Sequence, residues 1–276
     1  MSAEQVTYRV EDGVGIITLN RPDKLNAWTG AMDEGVYGFM KDASADDAVR
    51  VILFTGAGRG FCAGADMENL QQIQSGGSQG SQGMSAKEPD RRIEPDVPAD
   101  FGSRYTYFPS VPKPVIGAIN GVAAGIGMVI PLYCDIRLWS DAARMTTVFA
   151  KRGLIAEYGV AWMLERLIGP ARTADLLFSA RFIHAEEALA IGLANAVYPA
   201  ASFEQDALGY AKQMANTVSP RSLRVMKRQL WNDVFSSLTD AVERGKREMV
   251  ASFDSEDFKE GLAHYLEKRE PRFTGR

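Results

Sequence analysis

Cysteine and histidine are nearly absent from this chain, with two of each in 276 residues. Cys62 and Cys134 both sit inside apolar runs, where a reduced, buried thiol is the simplest state. Two cysteines in a chain of this length exclude a disulfide framework. His184 and His264 are far apart in sequence and offer no metal-ligand spacing, so no metal is expected. Positive charge is not in excess either: 31 Lys and Arg stand against 35 Asp and Glu, for a net charge of −4. That balance excludes the electrostatic footprint of a nucleic-acid or membrane-surface binder. A polyanionic ligand would need a local basic site. No apolar run is long enough to span a bilayer, and the first residues, MSAEQVTYRVEDG, lack the basic and apolar regions of a secretory signal. The expected location is cytoplasmic, with neither nucleic acid nor membrane as a partner.

Hydrophobic residues make up 46% of the chain, enough for one large core or a core with a helical appendage. Short apolar runs at Val14–Asn20, Val51–Thr55 and Val115–Ile119 end in turn signals and predict strands, with Asp135–Trp139 a weaker strand. Helical spacing covers Ala31–Lys41 and Gly127–Tyr133 between them. From about Gly159 the pattern is helical, at Thr173–Phe178, Ala185–Ile191, Phe203–Ala215, Ser222–Val234 and Phe258–Lys268. The layout is α/β followed by a helical C-terminal region. Gln74–Arg104 differs: it holds SGGSQGSQG and three prolines among charges, and reads as a mobile insertion, either a disordered surface loop or a lid.

Two stretches could carry chemistry. In GFCAGADM (60–67), small residues at 63–65 leave the main-chain amides open to a ligand. In INGVAAGIGM (119–128), small residues again follow a strand and precede a helix, whose first N–H groups favour negative charge. Two such turns aimed at one oxygen would meet the physical specification of an oxyanion hole for a thioester enolate. Each motif alone is equally satisfied by tight helix–sheet packing.

Together with LNRPDKLNAW (19–28), KPVIGAINGVAAGIGM (113–128), RGLIAEYG (152–159), AEEALAIGLANAV (185–197) and FKEGLAHYLEKREPRF (258–273), these motifs make the chain resemble the crotonase, or enoyl-CoA hydratase/isomerase, superfamily from Val14 to Phe273. The resemblance implies a ClpP/crotonase-like spiral of ββα units over residues 1–200, with 74–104 as a variable insertion. It implies a helical trimerisation region over 201–276, in a homotrimer or a dimer of trimers. It makes the amides of Ala65 and Ile126 the oxyanion donors, although the second position is usually glycine and Ile126 would narrow the acyl pocket. An acyl-CoA thioester is the implied substrate, with coenzyme A present only as part of it and no separate cofactor. Lys24, Leu25, Ala27, Ala63 and Asp66 match the segments that line coenzyme A. Tyr265 and Lys268 match a C-terminal pair that reaches the nucleotide of a neighbouring subunit, although a solvated helix face explains Lys268 as well.

The resemblance also bears on the reaction. A hydratase uses two glutamates to add water across the double bond, and the matching positions here are Val129 and Phe149. Neither can move a proton. Glu157, four residues after Gly153, matches the acid of single-base members, including enoyl-CoA isomerases. Leu154, Ile155, Val160 and Trp162 are expected to desolvate it and raise its pKa. Its bland alternative is an acid favoured by the dipole of a helix starting near Tyr158. Asp66 and Asp135 read as turn-holding residues and Trp162 as core. The expected activity is double-bond isomerisation by Glu157. The alternatives are hydration with a second acid from the insertion (Glu88, Asp90, Glu94, Asp96 or Asp100), acyl- or aryl-CoA hydrolysis or dehalogenation, and acyl-CoA binding without turnover.

Overall fold

The inner strands of the main sheet are apolar on both faces because both faces are covered. In the computed structural model, which describes residues 4–67, 71, 74–76 and 88–276, six strands form this sheet. They are β1 (Val6–Glu11), β2 (Val14–Leu19), β3 (Val51–Gly56), β5 (Val115–Ile119), β7 (Ile136–Ser140) and β10 (Ala196–Tyr198), in the order β1-β2-β3-β5-β7-β10. β1 and β2 are an antiparallel hairpin and the remaining pairs are parallel. Along β3 the side chains alternate. Ile52 and Phe54 join a core with Met32, Val36 and Met40 of α1 (Gly30–Ala45). Val51 and Leu53 face Phe203, Ala207, Ala211 and Ala215 of α6 (Phe203–Thr217). Alanines one turn apart let α6 lie close against the sheet.

A second sheet of short strands runs beside the first: β4 (Gly60–Cys62), β6 (Val122–Ala124), β8 (Arg144–Thr146) and β9 (Ile183–His184). β4, β6 and β8 are parallel, and β9 returns antiparallel to β8. The chain therefore repeats one unit: a long strand in the main sheet, a short strand in the second, then a helix. β5 and β6 lead into α2 (Ile126–Leu132), and β7 and β8 lead into α3 (Val160–Ile168). This is the ββα spiral. Then follow α4 (Pro170–Ser179), α5 (Ala185–Ala190), α6, α7 (Pro220–Asp233), α8 (Leu238–Phe253) and α9 (Glu256–Glu267).

One expectation needs correction. Residues 77–87 of the insertion lie outside the described residues, but 88–104 is neither disordered nor a detached loop. Val97 and Phe101 are buried in the core. Several of its charges are paired within the fold: Asp33 of α1, itself buried, is held by Arg91 at 3.0 Å and Arg104 at 2.8 Å. Asp90 is spanned by Arg92. Composition suggested a solvated loop because it does not reveal that opposite charges satisfy one another. No described helix is long and apolar enough to cross a membrane.

Candidate active site

The two amide-presenting turns emerge from neighbouring parallel strands. β4 and β6 pair with Cys62 opposite Ala123, and adjacent strands lie about 4.8 Å apart. The chain leaving β4 reaches Ala65 three residues later, and the chain leaving β6 reaches Ile126 two residues later. Around Ala65, the Trp28 N–H donates to the Gly64 carbonyl at 2.8 Å, and the Asp66 N–H donates to the Trp28 carbonyl at 3.0 Å. The Ala65 N–H falls on the other side of the chain from this ladder. Ile126 is the first residue of α2, where the N–H groups have no partner within the helix. The carbonyl of Gly125 accepts from Met128 and Val129. Ile126 is thus helical, as a main-chain donor requires, and its side chain is buried.

Close packing sets this arrangement. Gly64 has φ 108°, and a Cβ there would come within 3.1 Å of the Ala124 carbonyl oxygen. At Gly127 a Cβ would lie 2.0 Å from the Cys62 carbonyl oxygen, so α2 rests directly on β4. Gly127→Ala is expected to force the two turns apart, costing about 1–3 kcal/mol of stability. Turnover should fall more than CoA binding, as steady-state kinetics beside urea unfolding would show. Unchanged turnover would mean that the spacing of these turns is irrelevant.

A tight turn over 21–28 docks on β4. Leu25 (φ 48°) and Asn26 (φ 54°) are both left-handed, an arrangement that needs support. Asn26 supplies it while fully buried. Its Oδ1 accepts from the Arg21 N–H at 2.7 Å, and its Nδ2 donates to the carbonyls of Ala57 and Gly60 at 3.0 and 2.8 Å. The Ala63 N–H donates to the Leu25 carbonyl at 2.9 Å. Asp66 pairs with Arg21 at 2.9 Å, a turn-holding role, and Arg21 also donates to the Ala27 carbonyl. Lys24, Leu25, Ala27, Ala63 and Asp66 therefore come together, with Lys24 exposed. Tyr265 and Lys268 do not join them within one chain. Both are exposed at the end of α9, where Lys268 is the left-handed cap. Arg21 and Asn26 were missed in sequence. Their signal was an asparagine, the non-glycine residue best suited to left-handed backbone, inside the LNRPDKLNAW motif.

Glu157 lies on a turn fixed from α2. The hydroxyl of Tyr133, the residue closing α2, donates to the Tyr158 carbonyl at 2.6 Å. Tyr158 and Gly159 are both left-handed, with φ 49° and 71°. The Glu157 carbonyl accepts from Val160 at 3.1 Å as α3 begins. Glu157 is half-buried, and that burial raises its carboxyl pKa above the ordinary glutamate value. The neighbours responsible are not all those expected: Val160 is buried, but Leu154 and Ile155 are exposed at 43% and 79%. They precede the turn and point away from its packed side. Trp162 is half-buried, packed against the edge of the core and stacked on Phe235. An aromatic path joins the two halves of the site, from Trp28 edge-on to Tyr105 at 5.8 Å, and from Tyr105 edge-on to Tyr158 at 4.7 Å. The hydratase-matching positions are filled by buried Val129 and Phe149. Cys62 and Cys134 are free thiols, and burial pushes each pKa up to about 12.

Comparison with known proteins agrees with this architecture. The family model described as enoyl-CoA hydratase/isomerase matches residues 9–276. The chain belongs to the enoyl-CoA hydratase/isomerase family. Its relatives include 1,2-epoxyphenylacetyl-CoA isomerase of Escherichia coli, 33% identical over 99% of both chains. A probable enoyl-CoA hydratase of Rhodobacter capsulatus is 31% identical over 100% of both. Among solved structures, an enoyl-CoA hydratase from Bacillus anthracis matches with TM-score 0.83 at 28% identity, covering 99% of this chain and 100% of that one. Relatives at similar identity thus include one named as an isomerase and others named as hydratases.

Proposed function

We propose that this chain moves the double bond of an enoyl-CoA thioester, with Glu157 as the only proton carrier. The carboxylate removes a proton from C2 of a 3-enoyl-CoA. The electron pair delocalises onto the thioester oxygen, which accepts hydrogen bonds from the amides of Ala65 and Ile126. The same carboxyl then returns the proton to C4 as the dienolate collapses to the 2-enoyl-CoA. Coenzyme A lies along Lys24, Leu25, Ala27, Ala63 and Asp66. Tyr265 and Lys268 reach the nucleotide of a neighbouring subunit in a trimer or a dimer of trimers. The apolar side chains exposed on α8 and α9, among them Leu238, Val250, Leu262 and Leu266, would be covered in such an assembly.

The observation that carries this reading is the Glu157 turn. Tyr133 clamps it to the end of a seven-residue helix whose first amide is Ile126. Such a helix is roughly 10 Å long, comparable with a short acyl chain plus a glutamate side chain. Burial favours a base with a raised pKa there. Val129 and Phe149 offer no second acid.

Hydration is the second reading, favoured by the cavity beside Tyr158, which Glu88 and Asp100 also line. The other insertion acids are less suited to it. Asp90 is held by Arg92, Glu94 pairs with Arg224, and Asp96 is exposed. Purified protein offered 3-hexenoyl-CoA and 2-hexenoyl-CoA separates the two reactions. The proposal expects isomerisation of the first without net hydration of the second. Production of 3-hydroxyacyl-CoA at a comparable rate would overturn it.

A further inference from the structure

The cavity between the Glu157 turn and the 88–108 segment measures about 410 Å3, within the range of small-molecule sites. We infer that it receives the acyl group and selects an uncharged, ring-bearing acyl group over a linear chain or one ending in a carboxylate. This rests on the reading of the site above, because Tyr158 and Gly159, which line the cavity, directly follow Glu157, and Tyr133, which also lines it, ends the helix begun by Ile126.

The walls are flat and held in place. Trp162 and Phe235 lie parallel, with ring centroids 5.6 Å apart and an interplanar angle of 17°. Phe101 sets its edge against Trp162 at 6.4 Å and against Trp231 at 5.3 Å. Tyr133 is tied down by its hydroxyl. Rings that already brace one another lose little entropy when a ligand arrives. A ligand ring gains face and edge contacts beyond the area it buries. A linear chain gains area only, and must freeze its rotors to do so.

Charge points the same way. Among the described residues, Glu88 and Asp100 line the cavity and no Lys or Arg does; the guanidinium of Arg166, on this wall, is taken up by the Trp162 ring at 3.7 Å. A carboxylate-ended acyl group would meet like charge with no counter-ion among the described lining residues. A ring hydroxyl would instead find acceptors there. One Glu88 oxygen already accepts from the Arg104 N–H at 2.9 Å, and a carboxylate has lone pairs left over.

Calorimetric titration of the Glu157→Gln protein tests the inference without turnover, using coenzyme A, phenylacetyl-CoA, hexanoyl-CoA and glutaryl-CoA as probes. Phenylacetyl-CoA is expected to bind about tenfold more tightly than hexanoyl-CoA, and glutaryl-CoA about tenfold more weakly than hexanoyl-CoA. Trp162→Leu and the more exposed Phe235→Leu should each bring the first two esters within about threefold, leaving coenzyme A itself unchanged. Equal or tighter binding of hexanoyl-CoA would overturn the inference. So would a ring preference that survives in both folded variants. If the preference is found but wild-type protein isomerises no 3-enoyl-CoA, the proposed reaction falls and the pocket assignment stands. If 3-hexenoyl-CoA and 4-phenyl-3-butenoyl-CoA are isomerised equally well, only the pocket assignment falls. Failure to bind any ester removes both.

Discussion

Glu157→Gln is expected to lower kcat for 3-enoyl-CoA isomerisation by about 10²–10⁴-fold, the usual contribution of a positioned general base. Glutamine keeps the size and polarity of the side chain but cannot take a proton. The amides of Ala65 and Ile126 and the contacts to coenzyme A would survive, so binding of the thioester should change little. The pH profile offers an independent check. Burial raises the Glu157 pKa, and the base works only when ionised. The acid limb of kcat/KM should therefore fall at a pH above the ordinary glutamate range of about 4.3, and the residual rate of the Gln protein should lack that limb. Stability should move the opposite way. A carboxyl whose pKa is raised in the folded state contributes stability below its unfolded pKa and loses it as pH rises through the folded one. At pH 8 the wild-type chain carries an ionised, half-buried carboxylate. The neutral Gln protein should melt at the same or a higher temperature there, with the difference shrinking towards pH 4. A Gln protein with wild-type kcat would remove Glu157 from the chemistry, and one that melts far lower at pH 8 would make it structural.

Much of this site was legible in the sequence because it is built from main chain, and main-chain sites leave compositional marks. Small residues at 63–65 and at 123, 124, 125 and 127 appear where β4 and α2 approach within contact. Apolar runs such as Val115–Ile119 matched β5 because a strand buried on both faces must be apolar throughout. The short strands β4, β6 and β8, of three residues each, were not anticipated. Three residues carry no periodicity, and their pairing is non-local. The helix α8 was also missed: Leu238, Val242, Met249 and Val250 are exposed on this chain, so its apolar face has no core within the chain to mark it. The insertion misled for a different reason. Its Gly, Pro and Ser content is real, but the Arg91–Asp33–Arg104 cluster ties 88–104 to α1 and Phe101 ties it to Trp162 and Trp231, through partners 57 or more residues away in sequence. The left-handed pairs Leu25–Asn26 and Tyr158–Gly159 follow the same principle. Only the second contains a glycine, so the strain of the first became visible once Asn26 was seen to hold it.

Asp135→Ala is expected to cost about 3–5 kcal/mol of stability, the penalty for removing one partner of a buried ion pair. Asp135 anchors α7 to the sheet. One carboxylate oxygen receives the Lys227 ammonium at 2.7 Å and the Val115 N–H at 2.7 Å, and the other accepts the Trp231 indole N–H at 2.8 Å. The Lys227 side chain is only 5% exposed. Its other recorded contacts are the carbonyls of Phe108 and Lys113, at 3.2 and 3.0 Å. Truncating Asp135 would leave a buried cation without a counter-charge and orphan two N–H donors at once. Lys227→Met should cost less, because the carboxylate would keep both N–H donors. Urea unfolding at fixed protein concentration measures both, provided the slope of the transition is unchanged. Because Trp231 packs edge-on against Phe101 at 5.3 Å, the damage should extend to the aromatic wall beside Glu157. Asp135→Ala should then weaken binding of acyl-CoA more than binding of coenzyme A itself. Equal costs for the two substitutions would mean that charge pairing alone, and not the convergence of three donors on one carboxylate, holds α7 in place.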